Sequence, residues 1–160
     1  MPGFKDILLH VGQLNYTWTN TESLLIHMIA GLAGVDKQTA IVIFLTLNTP
    51  RARMDLVERL AKLPRIDPEC RSKVLDATRR LGVQAKLRNK YNHCIYSFDP
   101  DGQRALTQSM RIFEGRDTVK YGKIEALDDV EMARIQDSIQ SLIAINQQFW
   151  EITEEYNFPH

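Results

Sequence analysis

The sequence predicts an all-α domain, a four-to-five-helix bundle with one small β-hairpin inserted before its last helix. Three observations predict it. Apolar residues recur at three- and four-residue steps over most of the 160 residues. Capping residues, Pro and Gly interrupt that rhythm at only a few points. And one stretch alone, about 103–126, switches to a period of two.

Taken in order, Phe4, Ile7, Leu8, Val11, Leu14, Trp18, Leu25, Met28, Ile29 and Leu32 trace one long amphipathic helix. Gly34 is placed to end it and Asp36 to cap its successor. A second helical segment runs from about Lys37 to Leu63, broken at Asn48-Thr49-Pro50, with Thr49 capping and Pro50 opening the continuation. Asp67-Pro68-Glu69 starts a third helix whose stripe, Val74, Thr78, Leu81, Ala85, Arg88, Asn92 and Ile95, leads to a turn at Asp99-Pro100-Asp101-Gly102. Leu106, Gln108, Met110 and Ile112 then alternate with polar residues, Glu114-Gly115-Arg116-Asp117 intervenes, and Val119, Tyr121 and Lys123 alternate again: a hairpin. Asp128-Asp129 opens the last helix, with Val130, Met132, Ile135, Ile139, Leu142, Ile145 and Phe149 on its apolar face.

Composition narrows the function. One domain of 1–160 fits this length, with enough chain to bury a core. Twenty basic and twenty acidic residues give zero net charge, so nucleic-acid contact must come from a local patch. The run Ala40–Leu45 is too short to span a bilayer, and the first residues lack the pattern of a signal peptide; a soluble cytoplasmic protein with no membrane partner is expected. Cys70 and Cys94 match no zinc or redox spacing and read as free thiols. His10 and His27 have no metal-ligand neighbours, and no Gly-rich phosphate loop, Gly-x-Ser-x-Gly or His-Glu-x-x-His occurs. No cofactor or metal is expected. Arg51, Arg53 and Arg59 read as a solvated basic face.

The chemistry concentrates in Leu87-Arg88-Asn89-Lys90-Tyr91-Asn92-His93. Arg88 offers a fixed fork of donors for phosphate oxygens, and His93 is suited to moving protons near neutral pH. Arg88 continues the apolar stripe of its helix, and an arginine there needs a partner or a wet cleft. His93 lies about 140° round the helix from it, so convergence is permitted without being required. Glu22 and Asn15 likewise interrupt the apolar face of the first helix, and a Glu22–Arg88 ion pair would satisfy both charges. Tyr91 and Tyr96 flank the motif, available to stack on bases or to pack in the core.

At these residues the chain resembles the HEPN superfamily of all-α domains, whose signature is an Arg, usually followed by a polar residue, with a His four to six positions further on. Arg88-Asn89-Lys90-Tyr91-Asn92-His93 matches it, with Asn89 as the polar residue. Many members read Ala-His-Gly around the histidine, where this chain has Asn92-His93-Cys94, and the hairpin is an addition. The resemblance implies a metal-independent endoribonuclease working as a homodimer, with the two motifs facing across the two-fold axis. In that reading His93 is general acid or base, Arg88 stabilises the phosphate transition state, and Asn89 orients one of them. RNA and an antitoxin or regulatory protein are the implied partners, in a toxin or defence setting. The rival is a non-catalytic helical binding module in which Arg88 serves a structural ion pair with Glu22.

Overall fold

The computed structural model describes residues 3–101 and 104–160; Gly102 of the predicted turn and Gln103 at the start of the predicted hairpin lie outside them. Among the described residues, six helices and five strands follow in the order α1 (Phe4–Glu22), α2 (Leu25–Ala33), α3 (Lys37–Thr46), α4 (Pro50–Ala61), α5 (Pro68–Asn92), β1 (Cys94–Phe98), β2 (Ala105–Ser109), β3 (Ile112–Glu114), β4 (Val119–Tyr121), β5 (Ile124–Ala126) and α6 (Asp129–Glu155). The fold is mostly helical with a small antiparallel β component, so all-α overstates it. No helix among the described residues is long and apolar enough to cross a membrane.

Helix boundaries follow capping chemistry. Gly34 adopts a left-handed conformation (φ 69°), and its N–H returns to Ala30 O to close α2. Asp36 accepts from Thr39 N at 2.7 Å and Thr49 from Ala52 N at 3.1 Å. Asp67 accepts from both Glu69 N and Cys70 N at 3.1 Å, and Asp128 from Glu131 N at 3.0 Å. The first predicted helix is two: Ser23 Oγ donates to Asn20 O at 2.7 Å, and a turn at Ser23–Leu24 separates α1 from α2. Polar side chains there compete with the helix for its own carbonyls.

The chain divides into two compact units, Met1–Tyr16 with Lys86–Gln140, and Thr17–Ala85 with Ser141–His160. In the second, Trp18, Leu25, Met28, Ile29, Leu32, Leu81, Leu142 and Phe149 are almost wholly buried. Arg53 is not on a solvated face. Its Nε donates to the carbonyls of Phe44 and Leu47 at the end of α3, its guanidinium lies 3.9 Å from the Phe44 ring, and Nη1 reaches Glu22 Oε1 at 3.0 Å. Glu22, buried on α1, therefore has Arg53 as an ion-pair partner. Beyond α6, Phe158 packs so closely on Gly31 of α2 that a Cβ there would lie 2.0 Å from its ring.

The first unit holds the five strands found among the described residues. β1 and β5 flank β2 in an antiparallel sheet, with Cys94 opposite Ser109, Tyr96 opposite Thr107, and Thr107 opposite Glu125. β3 and β4 form a separate two-stranded ribbon, Ile112 opposite Tyr121 and Phe113 opposite Lys120. Between the pair Gln108–Ile124 and the pair Ile112–Tyr121, three residues on one strand, 109–111, face two on the other, 122–123. That is a β-bulge, and it breaks the continuous alternation expected from Leu106 to Ile112. Gly122 sits in the bulge because a Cβ there would fall 2.0 Å from Ser109 O. The third helix stops at Asn92, earlier than its apolar stripe suggests; residues 94–98, Cys-Ile-Tyr-Ser-Phe, are β-branched and aromatic and pair as β1.

Candidate functional site

The motif lies in the last turn of α5, within the first unit. Arg88 is half-buried, and the amides of Asn89 and Asn92 both accept from it. Nη1 donates to Asn89 Oδ1 at 3.2 Å. With its amide oriented so that oxygen faces donors, Asn92 accepts from Arg88 Nη2 at 2.9 Å and Nε at 3.0 Å, and its Nδ2 donates to Asn15 Oδ1 at 2.7 Å. Asn15, a polar interruption of the apolar face of α1, thus anchors the cradle that holds the guanidinium. Two amide oxygens thus fix the orientation of the fork.

His93 is the first residue beyond α5 and its side chain is exposed. Its backbone is fixed at both ends: the N–H donates to Asn89 O at 3.1 Å, and the carbonyl accepts from Met110 N at 3.1 Å, beside β2. Asn89 is exposed and touches both halves of the motif, Arg88 through its side chain and His93 through its carbonyl.

Tyr91 and Tyr96 sit on the other side of the helix end and do different work. Tyr91 is buried, with its hydroxyl donating to Glu131 at 2.5 Å. Burial first, then Glu131, pushes its pKa far up. Tyr96 donates to Tyr91 O at 2.7 Å and so satisfies a carbonyl the helix end leaves open; burial raises its pKa too. Lys90 bridges Glu131 and Glu125, while Lys123 holds the other oxygen of Glu125. Hydrogen bonds from Lys123 and then Lys90 pull Glu125 down to about 2; burial would raise Glu131, but hydrogen bonds from Tyr91 and then Lys90 outweigh it and lower it. Burial raises both thiols, Cys70 and Cys94, away from the nucleophilic thiolate.

The acidic cluster sets a pH dependence. Folded carboxylates with depressed pKa values add stability that is present above the unfolded value, 4.5, and is lost as pH falls towards about 2. Urea midpoints should therefore drop between pH 5 and pH 3, and the drop should shrink in Lys90→Met. An equal drop in that variant would remove Lys90 as its cause.

A second polar feature of this unit is an open hollow lined by His10, Gln13, Gln136, Asp137, Ile139 and Gln140. His10 Nδ1 lies 2.7 Å from Asp6 O and Nε2 lies 2.9 Å from Gln136 Nε2, which assigns the tautomer with Nδ1 as donor. Among the described residues no group of three His, Cys, Asp or Glu could hold a metal ion. The sequence reading missed Asn15 and Asn92 as functional partners; the signal was their polarity on stripes otherwise apolar. No family model, curated protein or solved structure matches the chain.

Proposed function

We propose that the chain is a metal-independent endoribonuclease of the HEPN type. The observation that supports it is the cradle: Arg88 gripped by the amides of Asn92 and Asn89, with Asn89 also bonded to the backbone of exposed His93. The amides that hold the guanidinium pre-orient its donors for a phosphate, and the neighbouring His93 is exposed. In such an enzyme the ribose 2′-hydroxyl loses its proton and attacks phosphorus while the 5′-oxygen gains a proton, both transfers suited to His93 and its mate across a homodimer. Arg88 stabilises the charge that grows on the phosphorane. An antitoxin or other regulatory protein would restrain such an activity in a toxin or defence setting.

Mixed RNAs incubated with the purified chain in EDTA should be cut, and Arg88→Lys should be far slower, because an ammonium keeps the charge but loses the fork. RNA left intact by the wild type overturns the reading. The second reading, a binding module, draws on the zero net charge of the chain.

A further inference from the structure

The β3–β4 ribbon carries a pattern that the Arg88–His93 motif does not use. All six of its residues are exposed, an unusual position for Ile112, Phe113, Val119 and Tyr121. Opposite residues of an antiparallel pair share a face. The register therefore puts Phe113 and Lys120 on one face, and Ile112, Glu114, Val119 and Tyr121 on the other. The Phe113 face carries a ring and an ammonium and no carboxylate from either strand. Exposed Arg111 adds a second cation where β3 begins.

The ribbon is also rooted beside His93. Met110 N donates to His93 O, Ser109 N to Lys123 O at 3.1 Å, and Arg111 is the next residue along. So the ribbon leaves the sheet at the end where β1 starts, one residue past the candidate general acid or base.

We propose that the Phe113–Lys120 face is a platform for single-stranded RNA, stacking a base on Phe113 and holding flanking phosphates with Lys120 and Arg111. The ligand class rests on the ribonuclease reading; the pattern of ring and cations does not. A base must be unstacked to lie on Phe113, which favours single strands over a duplex. A stable protein interface needs about 800 Å² from each partner, more than one ring and two cations supply, whereas a stacked base needs only the ring.

The test is fluorescence anisotropy of a short unstructured RNA and its duplex, using the full-length chain in the non-cleaving His93→Ala background. Phe113→Ala should weaken single-strand binding about tenfold. Lys120→Glu should weaken it and flatten its salt dependence. Tyr121→Ala, on the opposite face, should change it little, and the duplex should bind more weakly. Melting temperatures close to the parent's would show that the exposed substitutions leave the fold intact. Unchanged affinity in both Phe113→Ala and Lys120→Glu overturns the platform, as does an equal loss in Tyr121→Ala. An oligomer dissolved by Phe113→Ala overturns it too, in favour of a protein contact. The two readings fail separately. Ribbon-dependent binding without cleavage by the wild type sinks only the ribonuclease, and cleavage with ribbon-independent binding sinks only the platform.

Discussion

His93→Ala should slow RNA cleavage by about 10²–10⁴-fold, the range for loss of a general acid or base, with the melting temperature nearly unchanged. The small structural cost follows from geometry. His93 engages Asn89 and Met110 through its main chain, which alanine keeps, and its ring is exposed. Asn92→Asp sharpens the comparison. A carboxylate in place of the amide would grip Arg88 more firmly and cancel its charge but give up the N–H that Asn92 donates to Asn15, so the variant should stay close to wild type in stability yet cleave at least about tenfold more slowly. Both are read from single-turnover cleavage alongside thermal melts. Asn92→Asp retaining full activity would show that the charge of Arg88 is not used.

Gly31→Ala should destabilise the second unit by about 2 kcal/mol, opposite in sign to the usual glycine-to-alanine gain in a helix. The new Cβ would meet the Phe158 ring and expel a side chain only 8% exposed. Phe158→Ala should cost about 3 kcal/mol by itself, and the double variant less than the sum, because the clash disappears with the ring. Urea titration gives all three values. The same segment carries a pH effect: the Pro159 carbonyl accepts from His27, a buried imidazole whose Nδ1 has no hydrogen-bond partner and whose ring centre lies 5.2 Å from that of Trp150 and 6.2 Å from that of His160. Burial and then the charge of Lys37 lower its pKa below 6.5, despite the bond to Pro159. The unfolded chain therefore takes up the proton first, and stability should fall as pH drops below 6.5, a window separate from that of Glu125 and Glu131. His27→Gln should abolish that upper slope alone.

The starts of α3, α4, α5 and α6 were legible in the sequence because each rests on a local device, whereas the start of α2 at Leu25, which no side chain caps, was not. Asp36, Thr49, Asp67 and Asp128 each accept from their own helix within three residues. What it hid depends on partners far along the chain. Cys94–Phe98 could extend the stripe of α5 or alternate as a strand, and only pairing with Ala105–Ser109 decides. The bulge at Gly122 needs Ser109 O against it. At the candidate site Arg88 and His93 were visible as a spacing. The Asn15–Asn92 bond was not, since it joins residues 77 positions apart. Arg53 was misjudged for the same reason: its amphipathic neighbours resemble a solvated face, and its acceptors on α1 and α3 lie elsewhere in the sequence.

The neck of the ribbon has a consequence for variation. Ser109 N–H closes on Lys123 O below it, so β2 and β5 are fastened together whether or not anything is mounted beyond them. Residues 112–121 can thus be lengthened, shortened or exchanged without moving Asn15, Arg88 or Asn92. If the proposed reading holds, the part that would grasp a ligand can vary while the part that would act on it stays in place.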